Sequence, residues 1–178
     1  MTRRYCGDCQ LCCKLLPVNG IDKPANTTCR FQKFHKGCTV YHTAEFPVEC
    51  GLWNCRWLIN DDASDLSRPD RSHYVLDILP DFITMEDNAT GTKKNMTVVQ
   101  VWIDPRYPEA HRDSALREWV ARRAQDGIGT LVRTGSRDAF LLLAPPFCED
   151  GQWHEIRTNI NIVKPHSAKE IFDSMTGA

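Results

Sequence analysis

The stretch CGDCQLCC, residues 6–13, carries four thiols in eight positions. Cysteine can ligate a soft metal, close a disulfide or act as a nucleophile, and its spacing separates these uses. Cys6-x-x-Cys9 places two sulfurs on one side of a tight turn, where both can reach one ion. Gly7 gives that turn its backbone freedom. Cys12 and Cys13 are adjacent, so their side chains diverge. That pair points to two centres, or to one ligand and one thiol in another role.

Cys29, Cys38, Cys50 and Cys55 follow, so eight of the nine cysteines fall in the first 55 residues. Cysteines used as small hydrophobes would be scattered. A disulfide framework suits small secreted chains, whereas the opening MTRRYCGDCQL has no apolar run of a signal peptide. Metal is therefore the expected use. Eight thiolates divide naturally into two four-sulfur sites.

The metal itself is open between two chemistries. Cys6-x2-Cys9-x2-Cys12 has the spacing of three corners of a [4Fe–4S] cluster completed by a remote cysteine, although the usual following Cys-Pro is absent. Cys29-x8-Cys38-x11-Cys50-x4-Cys55 has no regular iron–sulfur spacing and suits structural Zn²⁺ equally well. Spacing puts iron–sulfur slightly ahead. His35 and His42 lie between the cysteines and are read as ordinary polar side chains, since cysteine alone is sufficient.

The string Cys6-Gly-Asp-Cys9-Gln-Leu-Cys12-Cys13 resembles the opening of the CxxCxxCC family of zinc- or iron-chelating domains, the YkgJ-like group. The likeness continues through Cys29-Arg-Phe, Gly37-Cys38-Thr-Val-Tyr41 and Pro47-Val-Glu-Cys50, with Cys55 after it, and spans the first third of the chain. It departs at Phe46, where the family carries an arginine, and in the short segment between Cys13 and Cys29. The resemblance implies that Cys6, Cys9, Cys12, Cys13, Cys29, Cys38, Cys50 and Cys55 are the metal ligands. It implies a cofactor class, not a reaction.

These sulfurs need elements to hold them. Phe31, Phe34, Tyr41, Phe46, Trp53 and Trp57 lie among them and are expected to pack, because so small a module needs metal and a few aromatics together. Residues 60–72 (NDDASDLSRPDRS) read as a polar linker or loop. Beyond it, His73–Leu79 and Asp81–Glu86 read as strand segments parted by Pro80, and Asp87–Asn95 as a loop. Met96–Ile103 reads as the strongest strand, with Val99, Val101 and Ile103 on one face. A helix follows, with Pro108 in its first turn, Gly127 as its C-terminal cap and an apolar stripe of Leu116, Trp119, Val120 and Ala124. Thr130–Thr134 and Ala139–Ala144 read as a hairpin, and further strands are expected near Trp153–Arg157 and Ile160–Val163. Ser167–Ala178 reads as a short helix. The fold class is thus α+β, a cysteine-rich module over residues 1–60 packed on a small, mainly antiparallel sheet with one principal helix over residues 61–178.

Other classes find little support. The formal net charge is -1, and Arg112, Arg117, Arg122 and Arg123 spread around their helix, so nucleic acid is disfavoured; Arg133 and Arg137 leave only a weak phosphate-binding reading. No stretch reaches the roughly 18 apolar residues of a membrane span. Nucleophile-elbow, phosphate-loop and His-Glu-x-x-His motifs are missing, and Asp77, Asp81, Glu86, Asp87 and Asp104 have no catalytic spacing. Cys148, after Ala-Pro-Pro-Phe, reads as a buried or idle thiol, with a resolving or ligand role as the minor alternative. The expectation is a cytosolic metal-chelating protein used for electron transfer or redox sensing, serving an unidentified protein partner. Its alternative is a zinc-stabilised interaction module with no catalysis.

Overall fold

The computed structural model describes residues 4–77, 81–86 and 90–157. The strand expected at Ile160–Val163 and the helix expected at Ser167–Ala178 lie outside them.

The cysteine-rich half is built from short pieces. Helix α1 (Leu11–Leu15) is followed by a two-stranded ribbon of β1 (Gln32–Lys33) and β2 (Gly37–Cys38), then α2 (Val48–Leu52) and α3 (Arg56–Ile59). Pieces of this size cannot stand alone. They lean on the sheet instead. Residues 60–72 form a 3-10 turn at Asp61–Ala63 and helix α4 (Pro69–Ser72), with Ala63, Leu66 and Pro69 buried. The polar residues of this stretch face outward while its few apolar ones enter the core.

Strands β3 (Tyr74–Leu76), β4 (Asp81–Glu86), β5 (Lys93–Ile103), β6 (Gly129–Arg133), β7 (Ala139–Leu143) and β8 (His154–Ile156) make one six-stranded sheet. Its order is β3-β5-β6-β7-β8, and β4 also pairs with β5. Strand β3 lies along Val101–Ile103 and β4 along Lys93–Val98, so the two segments flanking Pro80 line one edge of β5. All pairings are antiparallel except β5–β6, which is parallel and bridged by helix α5 (Ser114–Gln125). The fold is α+β with this one long helix. Two boundaries differ from the sequence reading. Strand β5 begins at Lys93, three residues earlier, because Lys93–Asn95 ladder onto Thr84–Glu86. Helix α5 begins at Ser114, because the Asp113 carboxylate caps it by accepting from the Leu116 N–H at 2.9 Å. Pro108 precedes a separate 3-10 turn at Ala110–Arg112. At the other end Gly127, at φ +76°, closes α5: its N–H reaches the Ala124 carbonyl and the Ile128 N–H reaches Arg123, the two bonds of a Schellman motif.

Alternation along the strands sorts the core. Tyr74, Leu76, Val99, Val101, Ile103, Val132, Phe140 and Leu142 face α5, where Leu116, Trp119, Val120 and Ala124 are all buried as the stripe required. The opposite face carries Val75 and Trp102, and onto these pack Cys9, Leu11 and Leu15 of the cysteine-rich half. The module is thus the second cover of the sheet.

Candidate metal centre

The segment Tyr5–Gln10 has no regular structure, yet it is pinned. The Cys9 N–H donates to the Cys6 carbonyl at 2.9 Å, and Gly7 takes φ +55° inside that turn. Arg68 donates to Asp8 at 2.8 Å and to Asp70 at 2.6 Å, tying the turn to α4. Helix α1 then buries Leu11 and Leu15 against the sheet, which fixes where Cys12 and Cys13 point. Neighbours on a helix are about 100° apart, yet the Cys12 and Cys13 thiols stay in hydrogen-bonding contact with each other.

Cys12 looks into a small cavity that it lines with Cys6, Cys9 and Cys55, closed by Trp57, Leu58, Pro69 and Val75. Cys55 arrives there from far along the chain through two contacts. It forms a β-bridge with Asp77 at the end of β3, and Trp53 Nε1 donates to Asp77 Oδ1 at 2.9 Å. Burial pushes the Cys55 thiol up to about 11, while the backbone N–H groups of Leu58 and Trp57, at the start of α3, pull the other way. Cys9 is raised by its contact with Cys6 and by burial, and the N–H groups of Leu11 and Asp70 oppose this. Cys6 is lowered by the Cys9 thiol beside it. Backbone donors aimed at sulfur stabilise thiolate, the form that binds metal.

Cys13 belongs to a second gathering. The Cys50 thiol is pushed up to about 11, first by burial and then by the negative charge of Cys13, Cys29, Cys38 and Glu49 nearby. The Cys12 thiol and the Lys23 ammonium bring Cys13 down to about 7, against burial. Lys23 is itself buried at 6% exposure and donates to the carbonyls of Lys14, Leu16 and Pro24. Burial lowers its pKa, and the charges of Cys29, Cys13, Cys12 and Cys50 raise it. A buried ammonium beside four sulfurs is a counter-charge for thiolates. Nothing in the sequence marked Lys23, because its partners are carbonyls and sulfurs brought in by folding.

All nine cysteines are free thiols. Of the eight candidates, Cys6, Cys9, Cys12 and Cys55 line the cavity and Cys13, Cys29 and Cys38 lie near Cys50, with the touching Cys12–Cys13 pair joining the two groups. Among the described residues the three-donor group with all donor atoms within 4.8 Å is Cys148, Asp150 and His154, so no three cavity sulfurs are drawn that close. The cavity itself is about 20 Å³, near the space of one water-sized body.

Outside the sulfur groups, other side chains singled out in the sequence take definite places. His35 and His42 are exposed turn residues at φ +57° and +61°, their rings tilted against those of Phe34 and Tyr41. Phe34 and Tyr41 were expected to pack, yet they are 80% and 59% exposed: Phe34 sits in the turn of the two-residue ribbon, and Tyr41, beyond it, meets the Phe46 ring edge-on at 5.2 Å. Trp53 and Trp57 do pack. Arg133 offers no surface for phosphate: it is buried, its Nε donates to Gln100, and its guanidinium lies 5.2 Å from the Trp102 ring. Arg112, Arg122 and Arg123 pair with Glu109, Asp65 and Asp62, while Arg117 stacks on Trp153. Cys148, read as a buried or idle thiol, is half-exposed. Among the described residues no helix is long and apolar enough to cross a membrane.

Compared with family models, with curated proteins and with solved structures, the chain matches none.

Proposed function

We propose that this protein chelates metal through eight cysteines arranged as two four-thiolate centres, one held by Cys6, Cys9, Cys12 and Cys55 and the other by Cys13, Cys29, Cys38 and Cys50. The observation that carries the reading is the gathering of Cys6, Cys9, Cys12 and Cys55 around one small cavity, with Cys13, Cys29 and Cys38 near Cys50 on the other side of the touching Cys12–Cys13 pair. The first reading is iron–sulfur, with electron transfer or redox sensing as the use and a protein as the electron partner. Its support is the Cys-x2-Cys-x2-Cys spacing. A bound cluster supplies one-electron exchange at low potential. The protein's own part is to present thiolates, donate backbone N–H groups to Cys9 and Cys55, and set Lys23 against the second group's charge. The resemblance to the CxxCxxCC domains agrees with this ligand set.

The cavity volume favours a second reading. The cavity between Cys6, Cys9, Cys12 and Cys55 has room for one ion, and two structural zinc ions would make the module an interaction surface. Anaerobic purification followed by a visible spectrum and assays of iron, zinc and acid-labile sulfide separates the two. Broad absorption near roughly 400 nm with sulfide matching iron is the expected result. A colourless protein with about two zinc ions per chain would favour the structural module. A chain carrying neither metal would overturn both.

A further inference from the structure

A second set of ligand-type side chains lies on the far side of the sheet's edge, in the turn that leads into β8. Cys148, Asp150 and His154 offer a sulfur, a carboxylate oxygen and a ring nitrogen that all lie within 4.8 Å of one another. The backbone holds them there. A 3-10 turn at Pro145–Phe147 ends in a bond from the Cys148 N–H to the Pro145 carbonyl at 3.0 Å. The Gly151 N–H then donates to the Cys148 carbonyl at 3.0 Å, with Gly151 at φ +63°, a conformation that suits glycine. Asp150 Oδ1 accepts from the Gln152 N–H at 3.0 Å, which aims Oδ2 at His154 Nε2, 2.8 Å away. His154 is itself fixed in register by its pairing with Leu143 of β7.

We infer that Cys148, Asp150 and His154 form an exposed three-ligand site for a soft or borderline divalent cation, of which Zn²⁺ is the type. Thiolate with imidazole selects Zn²⁺, Co²⁺ or a similar ion over Mg²⁺ and Ca²⁺, which prefer oxygen alone. Binding displaces the Cys148 thiol proton to solvent and uses a His154 ring nitrogen that carries no proton, the other ring nitrogen keeping its own. Three protein ligands leave a coordination position to water, as in zinc sites that do chemistry and unlike the closed four-cysteine kind. Cys148 and Asp150 come from one turn and His154 from a strand, so the site needs the folded chain. The assignment does not depend on the eight-cysteine reading.

The test is total bound metal per chain, counting what accompanies the purified full-length protein plus Co²⁺ taken up on titration. Wild type is compared with Cys148→Ala and His154→Ala. Each variant is expected to hold one ion fewer, and Co²⁺ affinity at this position to fall by more than about 10-fold. The thiolate-to-cobalt charge-transfer band from this position should vanish in Cys148→Ala, and excess Mg²⁺ should not displace the ion. Equal metal counts in wild type and both variants would overturn the assignment. All three side chains are at least partly exposed, so the variants should melt with the wild type. Should one melt lower, Asp150→Asn gives the same comparison. Loss of metal from the eight-cysteine set leaves this result unchanged, which keeps the two claims apart.

Discussion

The Lys14 ammonium donates to both carboxylate oxygens of Asp104 at 2.8 Å, joining the residue after the adjacent cysteines to the residue after β5. Asp104 is fully buried and also accepts from Arg106 at 2.8 Å. A carboxylate in that position is stable only with its cations in place. Asp104→Ala should therefore lower stability by about 3 kcal/mol and loosen the α1 turn that aims Cys12 and Cys13. Lys14→Met should cost less, because Arg106 remains. Denaturant melts of the two single variants and the double variant would measure the coupling.

The same carboxylate sets an acid limit. Burial alone would raise its pKa, but the hydrogen bonds from Arg106 and Lys14 outweigh burial and hold it well below the usual carboxylate range. A depressed pKa in the folded state gives stability that is present above the unfolded value, about 3.9, and is lost as pH falls through the folded one. The melting temperature should fall as pH drops below about 4, and Asp104→Asn should flatten that fall. An unchanged acid profile in Asp104→Asn would show that other carboxylates dominate.

Three glycines in the cysteine-rich half predict opposite outcomes for one substitution. Gly7 and Gly37 have φ of +55° and +81°, so Ala at either should cost about 1 kcal/mol. At Gly7 the new Cβ would also meet Arg68 Nη1 at 3.2 Å. Gly51 lies within α2, and a Cβ there would meet Phe46 at an ordinary 3.7 Å. Gly51→Ala should instead stabilise by roughly 0.5–1 kcal/mol. Thermal melts at one metal loading decide the signs.

Trp119 is fully buried in α5, with the guanidinium groups of Arg56 and Arg123 5.6 and 5.7 Å from its ring. Arg56 belongs to α3, so this ring links the cysteine-rich half to the helix side of the core. Trp119→Ala should cost about 4 kcal/mol, measured by urea melts. A loss under about 1 kcal/mol would mean that the helix does not seal this core.

The sequence made the helix stripe and the β6–β7 hairpin readable because their spacing depends on near neighbours alone. Leu116, Trp119, Val120 and Ala124 could be placed on one face before any tertiary contact was known. Strand β5 was cut short because Lys93–Asn95 carry no apolar alternation, and only pairing with β4 makes them strand. The candidate ligands were legible as a set from their clustering. That Cys55 joins Cys6, Cys9 and Cys12 was not, since Cys55 reaches the cavity through its bridge to Asp77. Lys23 and Asp104 gave no signal at all. A lone lysine or aspartate becomes special only when folding buries it.

Native mass spectrometry of the anaerobically isolated chain tests the central claim most directly. The account predicts a mass above that of the bare polypeptide by two metal centres. It also predicts that Cys55→Ser and Cys38→Ser each lose one of them, and a different one. A chain at its bare mass, or one lighter by two hydrogens for every disulfide, would contradict it.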